Sequence, residues 1–168
     1  MSRPDDRDPV RTLTPADCDA ALLALNNRHA VELSPLTLPR LRELAGVAFL
    51  AARVGAADAL LLAFDQDAPY DSANFLWFRE RYGRFVYVDR VVVASAKRGA
   101  GLARSLYGRL EDTAVAAGHT VLACEINAVP PNPASDRFHA RMGFATVGGG
   151  DPSPGKRVRY CLKALEAS

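Results

Sequence analysis

The residues most open to a chemical reading lie mid-chain, where the β-branched and aromatic run RFVYVDRVVV (84–93) is followed at once by ASAKRGAG (94–101) and then by a helical pattern. Lys97, Arg98, Gly99, Ala100 and Gly101 therefore sit between a strand end and a helix start, where several backbone N–H groups lack a partner within the helix. Small residues let a ligand come close to those groups, and the helix dipole adds partial positive charge there. The chemistry on offer is a phosphate or diphosphate held by amides; the bland alternative is a plain tight turn. A P-loop is excluded because no GK[ST] follows, and a dinucleotide fingerprint because there is no third glycine and no downstream ribose-binding acid.

Such a loop works only if its neighbours hold it in place. After it, Leu102, Leu106, Leu110, Ala114 and Ala117 form an apolar helical stripe closed by Gly118. Val121 to Ile126 reads as a strand, and the intervening helix lets it lie parallel to 84–93 as a βαβ unit. Asn132 as N-cap and Pro133 in the first turn open a short helix that points Phe138 and Met142 inward and ends at Gly143. Ala145 to Gly148 and Val158 to Leu162 then form a hairpin across DPSPGK. Upstream, Thr14 and Pro15 open a helix carrying Ala20, Leu22, Leu23 and Leu25 to Asn26 and Asn27, and a second helix covers Leu38 to Ala45 and stops at Gly46. Strands Val47 to Val54 and Ala59 to Phe64 meet around Gly55, and residues 65–83 read as loop with a helical turn.

At 168 residues the chain fits one domain, and 49% hydrophobic with 24% charged residues is a globular composition. Residues 1–11 are charged, carry Val10 as their one branched aliphatic, and read as a flexible arm, leaving 12–168 as the domain. A net charge of +2 with Lys and Arg scattered along the chain points to no nucleic-acid partner. Cys18, Cys124 and Cys161 form no CxxC pair and have no histidine at ligand spacing, so no metal is expected. The polar N-terminus lacks an export signal and Arg53, Gly55 and Asp58 interrupt the longest apolar region, which points to the cytoplasm and to no membrane partner.

VVVASAKRGAGLARSL resembles the acetyl-CoA-binding motif of GNAT acetyltransferases, Q/R-x-x-G-x-G/A, and NPASDRFHARMGF resembles their later motif N-x-x-A/S-x-x-F/L-Y-x-x-x-G-F. The two occur in the family's order and cover about residues 84–147; YVDRVVV followed by CEINAVPPNPASDRFH is similar to a bacterial subgroup of these proteins. The chain departs from the pattern at Ala96, where Gln or Arg is usual, and at His139, where tyrosine is usual. The resemblance implies an α/β (α+β) fold, a mixed and mostly antiparallel sheet of six or seven strands with a splayed parallel pair and about four flanking helices. It implies acetyl-CoA as co-substrate, its pantetheine arm on the backbone of Val91, Val92 and Val93. Its diphosphate would rest on Lys97, Arg98, Gly99, Ala100, Gly101, Leu102 and Ala103, with Asn132, Ser135 and Phe138 as further cofactor contacts.

The implied reaction is direct acetyl transfer to a primary amine of a small molecule or peptide in a ternary complex. An amine near pKa ~10.4 is neutral in roughly one part in a few thousand at pH 7, so a base must take its proton. Asp89 and Glu125 are the candidates, provided that burial raises one of them. His139 can protonate the departing thiolate, whereas no base is placed beside Cys124 to make it a nucleophile. Tyr70, Phe75, Trp77 and Tyr82 could wall the acceptor pocket, with core packing or a homodimer contact as their bland roles. The alternatives are a non-catalytic acetyl-CoA-sensing module and a nucleotide-binding domain of another fold.

Overall fold

The computed structural model describes residues 9–29 and 34–167. Their elements run β1 (Val10–Thr12), α1 (Ala20–Arg28), α2 (Leu38–Val47), β2 (Leu50–Val54), β3 (Ala59–Asp65), α3 (Ala73–Arg81), β4 (Val86–Val93), α4 (Leu102–Ala116), β5 (Val121–Val129), α5 (Pro133–Met142), β6 (Ala145–Ser153) and β7 (Lys156–Ala164). The strands make one open, mostly antiparallel sheet of order β1-β2-β3-β4-β5-β7-β6, in which β4 and β5 are the parallel pair. Among the described residues no helix is long and apolar enough to cross a membrane. The chain divides into two compact units, one made of the described residues up to Ala63 with Arg90–Thr113, the other of Phe64–Asp89 with those from Ala114 on.

In the first unit, β1, β2 and β3 form a meander, with Val10 opposite Val54 and Leu50 opposite Ala63. Gly55, at φ +59°, makes the β2–β3 turn, where a Cβ would meet the Asp58 carboxylate at 2.5 Å. Leu22 and Leu25 of α1 and Leu41 and Leu44 of α2 are buried. Arg90, 6% exposed, donates to Asn26 Oδ1 at 2.9 Å, so the end of α1 is tied to β4.

Three boundaries differ from the sequence reading. The arm expected over 1–11 ends in β1: Val10 is 3% exposed and Arg11 pairs with Arg53, while residues 1–8 lie outside the described residues. Thr14 and Pro15 do cap a turn, but a 3-10 one, Pro15–Asp17, with Asp17 accepting from the Thr14 amide and hydroxyl. The chain then extends at Cys18, and Asp19 caps α1 afresh by accepting from Leu22 N at 3.0 Å. Gly46 stays helical, so α2 reaches Val47 and β2 begins later than expected.

The second unit carries the largest difference. Residues 73–81, within a stretch read as loop with a helical turn, form the full helix α3, capped by Ser72 Oγ accepting from Phe75 N at 3.1 Å. Aromatic residues are indifferent helix formers and good strand formers, so local propensity conceals this helix. Tertiary contact reveals it: Phe75 and Phe78 pack on Tyr87, and Trp77 stacks on Tyr160 with ring centroids 4.3 Å apart. β6 and β7 also run longer than read, because Gly148–Gly150 stay in the ladder despite poor strand propensity.

Gly148 is held by this packing. A Cβ there would lie 2.5 Å from Trp77 Cζ2, and the indole is confined by Tyr160 and by Arg81, whose Cζ sits 4.3 Å from the ring centroid. Gly148→Ala should therefore cost about 1–3 kcal/mol by overpacking, read as a lower urea midpoint with an unchanged m-value.

Candidate active site

Within the first unit, Val92 is buried at 3% exposure while Val91 and Val93 are half-buried. After β4 the chain turns in a 3-10 segment, Ser95–Lys97, where Lys97 N donates to Ala94 O at 2.8 Å and Arg98 N to Ser95 O at 3.4 Å. Those two amides, counted among the ligand-holding groups in the sequence reading, close the turn instead. Gly99 and Gly101 then take φ of +83° and +76°, a backbone that disfavours side chains, with open space where a Cβ would stand. Among the described residues, none accepts from the amides of Gly99 to Arg104, and the first bond back into the loop is Ser105 N to Gly101 O at 3.0 Å. Six consecutive donors at the start of a 15-residue helix suit a multiply charged anion. Ser95 to Gly101 are exposed, so the Lys97 and Arg98 side chains add positive charge at an open surface.

Within the second unit, strand alternation sets the chemistry. β4 and β5 are in register at Val86↔Leu122, Tyr87↔Ala123 and Val88↔Cys124. Tyr87 and Asp89 of β4 therefore share a sheet face with Ala123 and Glu125 of β5. Tyr87 Oη donates to Glu125 Oε2 at 2.5 Å, and Tyr70 Oη donates to Asp89 Oδ1 at 2.5 Å. Burial raises Glu125 to about 7; the Tyr87 bond opposes that rise and the nearby Asp89 charge adds to it. The same burial, with the Glu125 charge beside it, pushes the Tyr87 hydroxyl well up, so Tyr87 remains a donor. Tyr160 of β7 stands directly opposite Glu125 and donates to Asn74 Oδ1 of α3 at 2.8 Å. Glu125 is thus a carboxylate poised to exchange a proton at neutral pH, which an ordinary carboxylate near pKa ~4 is not.

α5 gathers the residues of the later motif. Asn132 Oδ1 accepts from Ser135 N at 3.2 Å as its cap, and Gly143, φ +96°, ends the helix. The inward residue is His139, 6% exposed, whereas Phe138 and Met142 are half-buried. His139 Nδ1 lies 2.8 Å from Ser135 O, so that nitrogen carries the hydrogen and donates to the carbonyl. Phe138 and Phe144 meet the imidazole nearly edge-on, and burial lowers its pKa. Neutral His139 is therefore the dominant form at pH 7. Among the described residues no group of three or more His, Cys, Asp and Glu could hold a metal ion.

Asp89 and Glu125 thus share one face, while Asn132, Ser135, Phe138 and His139 share one helix. Three participants escaped the sequence reading: the Tyr87 hydroxyl, Tyr160 and Asn74. Alternation alone could have supplied Tyr87, two residues before Asp89 on the same strand; the others depend on α3 and on the β5–β7 register.

A family model described as the acetyltransferase (GNAT) family matches residues 39–144. No curated protein sequence matches the chain. Among solved structures, the chain is similar to the ribosomal-protein-S18-alanine N-acetyltransferase from Escherichia coli, at 16% identity and TM-score 0.69, over 95% of this chain and 94% of that one. It is also similar to Naa20 of Chaetomium thermophilum in complex with a bisubstrate analogue, at 20% identity and TM-score 0.68, over 93% and 86%. A third, yncA from Salmonella typhimurium with its cofactor acetyl-CoA, gives 21% identity and TM-score 0.66 over 95% and 94%.

The raised Glu125 has a consequence for stability. Between the ordinary 4.5 and about 7 the folded chain keeps a proton that the unfolded chain has released. The native state then binds more protons, so stability is greatest below pH 4.5 on this account and falls as pH rises through 7. The fall should reach at most about 3 kcal/mol. Urea midpoints measured from pH 5 to 8 should show it in the parent chain and a flatter profile in Glu125→Gln; equal slopes in the two would contradict the assignment.

Proposed function

This chain belongs to the acetyltransferase (GNAT) family, and on that premise we propose that it moves an acetyl group from acetyl-CoA to a primary amine of a small molecule or peptide, directly within a ternary complex. Acetyl-CoA supplies an acyl group activated as a thioester. The residues present fit its other parts: the open amides of Gly99 to Ala103, with the Lys97 and Arg98 side chains, suit a diphosphate. The backbone of Val91 to Val93 is proposed to pair with the peptide-like arm, and Asn132, Ser135 and Phe138 to add contacts from α5. Ala96, where the family pattern has a long polar residue, matters little if amides do the holding.

The observation that carries an enzymatic reading is Glu125. A base that must deprotonate an ammonium at neutral pH works best with a pKa near that pH, and Glu125 is placed there by burial, with Tyr87 fixing one carboxylate oxygen. Glu125 is proposed to take the amine proton, directly or through a water. Asp89, held by Tyr70, is proposed to sustain the negative field that attracts the ammonium form of the acceptor. His139 is proposed to protonate the departing thiolate from Nε2 in its charged form, because the hydrogen of the neutral ring is held by Ser135 O; burial keeps that charged form scarce, which makes it a weaker lever on rate than Glu125. A non-catalytic acetyl-CoA-sensing module would have no use for a carboxylate tuned in this way.

The S18-alanine specificity of the Escherichia coli neighbour keeps a peptide N-terminus among the proposed acceptors. The chain from Val10 on is proposed to work as one cytoplasmic domain, able to form a homodimer and binding no nucleic acid.

Thiol release from acetyl-CoA across a panel of small amines and peptide N-termini tests the reading. Glu125→Gln should lower kcat/KM at pH 7.5 by about 10²-fold and abolish the rise of rate through pH 7, with the KM for acetyl-CoA little changed. His139→Ala should cost less, about tenfold. Turnover indifferent to Glu125→Gln would overturn the role given to Glu125, whereas no turnover with any amine despite a melting-temperature rise with acetyl-CoA would favour the sensing module.

A further inference from the structure

β5 and β7 run antiparallel with Cys124 opposite Cys161 and Glu125 opposite Tyr160. Opposed residues point to the same face and the next pair to the other, so the cysteines share the reverse face from Glu125 and Tyr160. Opposed Cα atoms in such a ladder lie about 4.5–5.5 Å apart, inside the range of about 4.4–6.8 Å that a disulfide spans. Both are free thiols at 2% exposure. Cys161 Sγ also lies 3.9 Å from Thr146 Oγ1, and Thr146 is exposed on the edge strand β6, so this sulfur sits one side chain beneath the surface.

We propose that Cys124 and Cys161 are a peroxide-reactive dithiol that closes to an intramolecular disulfide, with Cys161 the attacking sulfur and Cys124 the resolving one. The Cys161 thiolate attacks one oxygen of hydrogen peroxide; the O–O bond breaks, the other oxygen leaves as hydroxide and takes up the proton Cys161 had lost, and Cys161 is oxidised to a sulfenic acid. Cys124 then attacks that sulfur, the S–O bond breaks, and the oxygen departs as water with the Cys124 proton. Two thiols and one peroxide become one disulfide and two waters. The division of roles follows the local electrostatics. The hydrogen bond from Cys124, helped by Thr146 and by the Arg159 charge, holds the Cys161 thiol down at about 7 against the effect of burial. Burial pushes Cys124 well up, so it keeps its proton until the second step. Cys18, whose thiol burial also raises and whose Sγ bonds Thr14 O, has no such partner and serves as the internal control.

The test is thiol mapping of the reduced full-length chain after stoichiometric hydrogen peroxide, by alkylation, digestion and mass spectrometry. A Cys124–Cys161 linked peptide is expected, reversed by dithiothreitol, with Cys18 still alkylated. Cys124→Ser should accumulate a sulfenic acid at Cys161 that dimedone traps; Cys161→Ser should leave Cys124 alkylatable at the same dose. Parent chain in which Cys124 and Cys161 both stay alkylatable, or in which the linked peptide contains Cys18, would overturn the proposal, and this result needs neither variant to fold. The readout is independent of acetyl transfer, so it can fail while that reading stands.

Discussion

Removing a carboxylate from water is unfavourable unless something else stabilises the charge, and in this fold the sheet itself does both. β4 and β5 lie side by side and parallel, so alternate residues on each look toward the same solvent-poor face, and Glu125 arrives there beside Tyr87. Burial alone favours the protonated acid; the Tyr87 hydrogen bond favours the anion; the result lies near neutrality, where both forms are populated. α3 belongs to this balance, because Phe75 and Phe78 pack on the Tyr87 ring and exclude water from it. A helix with no side chain on that carboxylate thereby helps to set its proton affinity.

The glycine loop follows a different principle. Its donors are backbone amides at the start of α4, present because the first turn of any α-helix has no residues ahead of it to accept them. The side chains matter mainly by being absent: Gly99 and Gly101 adopt positive φ and leave the space above the amides open. At Glu125, by contrast, a single side chain is tuned by burial and by one hydrogen bond from Tyr87.

One ladder serves two purposes. The register that sets Glu125 across from Tyr160 also sets Cys124 across from Cys161, one residue away and on the other face. A covalent change at the cysteines would act on the same two strands that hold the acid. Such coupling needs no long-range pathway, only a shared backbone.

What could be read from the chain alone was whatever a short stretch of residues decides by itself. β-branched crowding makes β4, an amide-rich helix start follows two glycines, Asn132 caps α5 with its own side chain, and Gly55, Gly118 and Gly143 end their elements with positive φ. Family membership was legible for the same reason, since both motifs are local. Where several segments had to meet, the reading missed or blurred. α3 has the propensities of a strand or loop and exists because its aromatics find Tyr87 and Tyr160; β1 exists because Val10 finds Val54; His139 rather than Phe138 turns inward because Phe144 and the Ser135 carbonyl receive it. Asp89 and Glu125 could be named as alternatives from the chain, but not ranked. The proton affinity of Glu125 depends on burial and on Tyr87, 38 residues away in sequence, and Asp89 meets Tyr70, 19 residues away; only the folded sheet brings these groups into contact.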